Sequence, residues 1–282
     1  MKETLVVIPT VNNLNYLRQV IDSFHCDYPH QLLVIDNGST DNTLAYLKSK
    51  KNLAYIHYDS NLGVNYANNV AFDLAFVNSD NNLIVIHNDI VLNKQCINNL
   101  ILGLNNSTYD IIYAKEFCAD PPRKSLQDMF ANLQYFYELT PEGFSYHKDV
   151  SYTGVMVSEG LNFTARAIKK SFFDKIGYAD VNFYPAYYCD NDVLIRSKLT
   201  DVTIGFVDSA HYLHYRSRSI NEGGVDVINN KHFKRNYQFY KTKWGGEVGK
   251  ETRFGNPKLM RTRDEDYEII QEKILSVTRN RR

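Results

Sequence analysis

Four short apolar runs recur through the first third of the chain: Leu5-Val6-Val7-Ile8, Leu32-Leu33-Val34-Ile35, Leu53-Ala54-Tyr55-Ile56 and Leu83-Ile84-Val85-Ile86. None alternates apolar with polar residues, so each predicts a strand covered on both faces. Strands of that kind, separated by helices, build a parallel sheet with helices on either side. The stretches between the runs predict those helices, over residues 14–24, through Leu47, and to about Val77, with Ser39-Thr40-Asp41 as the N-cap of the second. Sheets of this class collect ligands at the carboxyl ends of their strands. Here those ends carry Thr10, Asp36 and, in His87-Asn88-Asp89, a further carboxylate.

Composition sets the limits. The 282 residues are 44% hydrophobic and 23% charged, which fits one large globular domain or two small ones. A formal net charge of zero gives no global electrostatic case for nucleic acid or membrane. Residues 231–282 nevertheless hold 14 of the 32 Lys and Arg but 7 of the 32 Asp and Glu, so a basic tail follows a mildly acidic body. Such a tail suits an anionic donor, an anionic acceptor or a plain solvated surface. The four cysteines show no CxxC or zinc-like spacing and predict reduced thiols. The chain enters a core strand almost at once, and no apolar run approaches the ~20 residues a membrane span needs. A soluble, cytoplasmic protein without a transmembrane segment is expected.

Further along, Asp120-Pro121-Pro122 breaks the chain and an aromatic-rich stretch covers 130–146. Residues 160–166 predict a strand, 168–176 and 193–199 helices, and 203–207 a strand followed by His211 and His214 in a loop rich in Ser and Arg. Helices are expected over 232–243 and 266–275. There is no GxGxxG after the first strand and no GxxxxGK[ST], which argues against a dinucleotide Rossmann domain or a P-loop. A diphosphate bound here would need another source of neutralisation, and a divalent metal is the usual one.

Each polar element has a bland and a chemical reading. Asp36-Asn37-Gly38-Ser39-Thr40-Asp41 makes a strand-to-helix turn, but a turn does not require a carboxylate at the strand's last position, where Asp36 can accept from a base or ribose donor. His87-Asn88-Asp89 is a polar turn or a cation site in which Asp89 supplies an oxygen and His87 or Asn88 meets ribose. Cys189-Asp190-Asn191-Asp192 opens a helix, where acids are favoured electrostatically, or it holds a general base. His214 alone reads as structural, and becomes a ligand if Asp89 needs a partner.

In order along the chain, these elements resemble the inverting family-2 glycosyltransferases, in their rhamnosyltransferase-like branch. Val6-Val7-Ile8-Pro9-Thr10-Val11-Asn12-Asn13 looks like the family's V-I-P-T-Y-N opening, and Asp36-Asn37-Gly38-Ser39-Thr40-Asp41 matches D-N-G-S-T-D. Asn61-Leu62-Gly63 through Asn69 resembles N-x-G…N. Arg166 with Lys175-Ile176-Gly177 looks like the acceptor-side strand and helix. Cys189-Asp190-Asn191-Asp192-Val193-Leu194-Ile195-Arg196 corresponds to E-D-x-D-L-x-x-R, with a weaker echo at Lys243-Trp244-Gly245-Gly246. Two departures stand out. The family's D-x-D is His87-Asn88-Asp89 here, and the Glu of the E-D pair is Cys189.

The resemblance implies a GT-A fold: a Rossmann-like, mostly parallel sheet flanked by helices, with a helical C-terminal extension. Residues 1–115 would form the nucleotide-sugar-binding half and 116–230 the acceptor-binding and catalytic half of the same domain. Residues 231–282 would be the helical, basic extension. It implies a metal-dependent, inverting transfer of a hexosyl or pentosyl group from a nucleoside-diphosphate sugar, UDP- or dTDP-linked in preference, to a hydroxyl. That hydroxyl would belong to a glycan, a lipid-linked saccharide or a modified base in DNA. Thr10, Asn12, Asp36, Asn61, Gly63, Asn69 and Asn88 would bind the donor. Asp89 and His214 would hold Mn²⁺ or Mg²⁺, and Asp190 would be the base, with Asp192 structural. The rival readings are a nucleotide-sugar or glycan-binding protein without catalysis, and a sugar-phosphate nucleotidyltransferase. The second would want a Gly- and Arg-rich loop where Thr10-Val11-Asn12-Asn13 stands.

Overall fold

The computed structural model describes residues 2–118, 137–140, 143–146, 151–158, 160–215 and 231–254. Its first part alternates as expected: β1 (Thr4–Thr10), α1 (Leu14–Ser23), β2 (His30–Asp36), α2 (Thr43–Ser49), β3 (Ala54–His57), α3 (Val64–Phe72), with a π-helical turn over Asp73–Val77, and β4 (Asn82–Ile86). These strands lie in the order β3-β2-β1-β4 and pair in parallel. Successive side chains of one strand point to opposite faces. Leu5 and Val7, with Leu83 and Val85, therefore pack on α3 through Ala67, Val70 and Ala71. Val6 and Ile8, with Ile84 and Ile86, pack on Leu17 and Val20 of α1 and Leu47 of α2. Each fully buried aliphatic side chain contributes ~1.5–3 kcal/mol. An exposed ion pair such as Lys2–Asp80, 2.7 Å apart, contributes at most ~1 kcal/mol, so the two-faced apolar pattern dictates the sheet.

Beyond β4 the sheet turns mixed. β5 (Ile90–Leu92), α4 (Cys96–Asn105), β6 (Ile111–Cys118), β7 (Tyr137–Thr140), β8 (Gly143–Tyr146), β9 (Met156–Val157), β10 (Ala165–Ile168), α5 (Lys170–Ile176), α6 (Cys189–Leu199), β11 (Ile204–His214) and α7 (Lys231–Trp244) follow. β10 inserts antiparallel between β4 and β6, β11 runs parallel to β6, and β5 closes the far edge antiparallel to β11. β6 crosses residue 115/116, so the two halves share one sheet. β7 and β8 form a separate hairpin.

Four expectations need correction. The strand expected over 160–166 is β10, which runs only from Ala165 to Ile168. His211 and His214 lie on a strand, not in a loop: β11 continues from Val207 through Asp208 and Ser209, with a register shift between Val207 and His211. The polar residues at that irregularity are engaged, Ser209 O accepting from Asn99 Nδ2 at 2.8 Å and Asp208 pairing with Lys115 at 2.7 Å. The cap of α2 is Asn42, while Asp41 Oδ1 accepts from Thr43 N at 2.9 Å. The helix expected over 193–199 begins at Cys189, so Asp190 and Asp192 both sit in its first turn. The helix expected at 266–275, like the aromatic-rich stretch other than 137–140 and 143–146, lies outside the described residues. Among the described residues no helix is long and apolar enough to cross a membrane.

α7 docks on α6 through a buried ionic knot. Asp192, fully buried, accepts from Arg196 Nε at 2.9 Å and Trp244 Nε1 at 3.0 Å and pairs with Lys243 at 2.5 Å. Lys243 also reaches Asp180 at 2.7 Å, and Phe183, Cys189, Ile195, Tyr240 and Trp244 form the apolar floor. The echo at Lys243-Trp244 is thus a packing element.

Candidate active site

The carboxyl ends of β1, β2 and β4 come together through side chains that bond to the neighbouring loop. Asn12 and Asn13 take left-handed backbone, φ 57° and 62°, a conformation Asn tolerates better than most residues. That turn lets Asn12 Oδ1 accept from Thr40 N at 2.8 Å and Asp41 N at 3.3 Å while Asn12 N donates to Ser39 Oγ at 2.7 Å. Gly38, φ 79°, passes so close to the next loop that a Cβ would lie 2.3 Å from the Ser60 carbonyl carbon, which is why a glycine stands there. Asn37 ties the 61–63 loop down, donating to Asn61 Oδ1 at 3.2 Å and Gly63 O at 3.0 Å and accepting from Leu62 N at 3.0 Å. Thr10 Oγ1 accepts from Asn88 Nδ2 at 2.8 Å.

Thr10, Asn12, Asp36, Asn61, Gly63 and Asn88 therefore share one cluster. Asn69 does not: it is fully buried on the inner face of α3, exchanging two hydrogen bonds with the Ala179 backbone at 3.0 and 2.8 Å. Asp36 is also fully buried, accepting from Ser39 N at 3.0 Å and from His57 Nδ1 at 2.8 Å. Since a carboxylate only accepts, the His57 proton sits on Nδ1 and the other ring nitrogen faces away from Asp36.

The second cluster depends on β5. After β4 the chain turns at His87-Asn88-Asp89 and pairs with β11, setting His214 opposite Ile90 and Tyr215 N 3.0 Å from Asp89 O. This brings Asp89 Oδ1 3.2 Å from His214 Nε2. On the other side of the ring, Glu116 Oε1 lies 3.1 Å from His214 Nδ1, and Glu116 Oε2 accepts from Asn162 Nδ2 at 2.8 Å. Burial disfavours the charged His214 ring, but the hydrogen bonds to Asp89 and Glu116 outweigh it and push the ring up to about 9. His87 behaves oppositely, held down to about 4 chiefly by burial, with Asp89 pulling the other way. Potential ligand atoms of His87, Asp89 and His214 all lie within 4.8 Å of one another. Two imidazoles and a carboxylate converging from a strand end and a neighbouring strand fit a divalent cation.

Residues 160–166 join this cluster to Asp190. Thr164 O accepts from His87 N at 2.8 Å, and Asn162 holds Glu116. An open cleft is lined by Tyr113, Asn162, Phe163, Thr164 and Asp190, and a second, narrow hollow by Asn65, Asn68, Phe163, Arg166 and Asp190. Asp190 opens to both, so it keeps exposed surface although protein packs densely around it. That surrounding raises its carboxyl above the ordinary carboxylate range, against the pull of Arg166 and the Cys189 thiol, whose Sγ is 3.5 Å away. Arg166 is buried, donating to Asn68 Oδ1 at 3.1 Å and to Phe163 O. Burial brings it down to about 10, against the pull of Asp190.

Sequence reasoning missed Asn37, His57 and Glu116. Asn37 was hidden beside the more conspicuous Asp36. Glu116 needed β6, whose pairing with β11 sets Glu116 opposite Tyr212, two residues from His214 on the same face.

The family model described as "Glycosyl transferase family 2" matches residues 5–156. Among solved structures, residues 1–349 of TarS from S. aureus are 17% identical at a TM-score of 0.53, covering 86% of this chain and 73% of that one. The same fragment in complex with UDP-GlcNAc gives 16% and 0.52 over 86% and 74%. The mannosyltransferase PcManGT from Pyrobaculum calidifontis, in complex with GDP-Man and Mn²⁺, is 12% identical at 0.54 over 90% and 66%. Against the longer TarS structure this chain spans 45% of the length. At these identities the likeness is one of fold, and the fold is GT-A. No curated protein sequence matches the chain.

Proposed function

Because the chain belongs to glycosyl transferase family 2, an enzyme family that transfers sugars from nucleotide sugars, we propose a metal-dependent transfer with inversion onto a hydroxyl acceptor, with Asp190 as general base. The observation that carries this reading is the pairing of two sites across one segment: the Asp89–His214 cluster and Asp190 both border residues 160–166. Leaving-group stabilisation and base are thus assigned to two groups of residues that border the same segment.

In this mechanism Thr10, Asn12 and Asn88 line the nucleoside side, and the 61–63 loop held by Asn37 lies beside them. Asp36 acts there by fixing His57 and the turn at Ser39, since its own carboxylate is buried. Asp89 and His214 would hold Mn²⁺ or Mg²⁺, which when bound supplies Lewis acidity for the departing diphosphate. Asp190 takes the proton of the acceptor hydroxyl as that oxygen attacks the anomeric carbon opposite the leaving group. One displacement of this kind inverts the anomeric centre. The raised carboxyl suits the task, because a base is most effective with a pKa near the working pH. Arg166 beside it pulls toward the ionised form.

A UDP- or dTDP-linked sugar is the donor class to test first, since the TarS fragment is known with UDP-GlcNAc and UDP. The test is a melting-temperature panel of nucleoside diphosphates and their sugars with and without Mn²⁺. A ligand at 100 times its Kd should stabilise by ~2.7 kcal/mol, and Asp89→Ala should remove the Mn²⁺-dependent part. An unchanged Mn²⁺-dependent shift in Asp89→Ala would refute the metal assignment.

A further inference from the structure

We propose that Asn236, on α7, is a positioning residue for Asp190: it holds the irregular 184–188 segment, and that segment sets where the base stands. The inference rests on the reading of Asp190 as general base and adds to it a residue from the C-terminal helix.

Positions 236, 240 and 244 fall on one face of α7, and all three are fully buried. Tyr240 and Trp244 belong to the apolar floor under α6, so the stripe calls for an apolar side chain at 236 as well. It carries an amide instead. Asn236 Nδ2 donates to Ala186 O at 2.7 Å and to Tyr184 O at 3.1 Å, with Tyr187 O at 3.5 Å, the limit of such a contact. Its Oδ1 has no partner among the described residues, which costs stability. An apolar residue would avoid that cost, so the amide is explained by the carbonyls it holds.

Those carbonyls belong to the connection between α5 and α6. There Tyr187 and Tyr188 take left-handed backbone, φ 70° and 62°, a conformation that residues with a Cβ keep only where their surroundings fix it. At the upstream end Pro185 O accepts from Val64 N at 2.9 Å, and a Cβ at the neighbouring Gly63 would lie 3.1 Å from Tyr184 Cδ2. At the downstream end Tyr188 caps α6, its O accepting from Asp192 N at 3.0 Å, and Asp190 is the second residue of that helix. The clamp therefore fixes the chain between the 61–63 loop and the base. α7 stays docked without it, through Lys243 and Trp244 on Asp192.

The experiment is a double-mutant cycle between Asn236→Ala and Asp190→Asn in the full chain. It reads kcat for Mn²⁺-dependent hydrolysis of the nucleotide sugar that raises the melting temperature most, and the Kd of the matching nucleoside diphosphate. Asn236→Ala should lower kcat about 10-fold or more, because a reacting group misplaced by ~1 Å costs up to ~10²-fold. The Kd should stay within about threefold, since Asn37 holds the 61–63 loop separately. In the Asp190→Asn background the same substitution should cost nothing further. Asn236→Ser returns one O–H donor and should recover part of the loss; it carries the comparison where Asn236→Ala does not fold. An unchanged kcat in the folded variant overturns the proposal. So does a loss that multiplies with that of Asp190→Asn, because a merely structural effect lowers both backgrounds alike. Asp190→Asn that keeps its kcat overturns the reading of the base, and this inference with it.

Discussion

Glu116 Oε1 lies 3.1 Å from Nδ1 of His214, and this contact decides which ring nitrogen is left for Asp89. A carboxylate accepts only, so Nδ1 keeps its proton toward Glu116 and Nε2 turns to Asp89 and any cation held there. Glu116→Gln should therefore weaken Mn²⁺ binding about 10-fold while the chain melts near the wild-type temperature. Calorimetry with Mn²⁺ checks it, and equal affinities would remove Glu116 from the site.

A second carboxylate is raised for structural reasons. Asp73, at the start of the π-helical turn after α3, is fully buried, accepts from Tyr178 Oη, and is pushed up to about 6 by burial. A carboxyl raised on folding adds stability while protonated: the contribution is complete below its unfolded pKa near 4 and lost as pH rises through about 6. Asp73→Asn stays neutral throughout. Its stability relative to wild type should grow in the mutant's favour between pH 4 and 7 by on the order of 1–2 kcal/mol, then level off. Denaturant midpoints across that range measure the difference, and a flat difference would contradict the account.

Asp192 should behave as a structural residue. Its carboxylate joins Arg196, Lys243 and Trp244 inside the α6–α7 contact, so Asp192→Ala leaves two buried cations without it. Breaking a buried pair in this way typically costs ~3–5 kcal/mol. The melting temperature should drop sharply, with the surviving folded fraction still able to turn over donor. Full stability in Asp192→Ala would show that the knot does not hold α7.

The sequence carried the first half of this fold plainly, because two-faced apolar strands such as Val6-Val7-Ile8 have one economical solution. It placed Thr10, Asp36 and Asp89 at or just past strand ends and Asp190 at a helix start, and reached His214 only as a partner for Asp89. What it hid depends on non-local pairing. The second part of β11 reads as a loop because Asp208, Ser209 and His211 interrupt its apolar pattern, yet its pairing with β6 and β5 is what unites Asp89, His214 and Glu116. Asn69 reads as a site residue by its motif, while its bonds to Ala179 make it a cross-link between α3 and the segment before α6. Only three-dimensional contact distinguishes the two roles.

The central claim is that Asp190 does the chemistry without holding the donor. Donor turnover, measured with Mn²⁺ and water or a sugar as acceptor, alongside the Kd of the nucleoside diphosphate, compares wild type with Asp190→Asn. Because the Asp190 carboxyl is raised and works ionised, wild-type turnover should fall with decreasing pH through a point above the ordinary carboxylate range. Asp190→Asn should lose ~10²-fold or more in kcat, with the Kd unchanged. A near-normal kcat in that variant would contradict the account and leave a nucleotide-sugar-binding site whose base lies elsewhere.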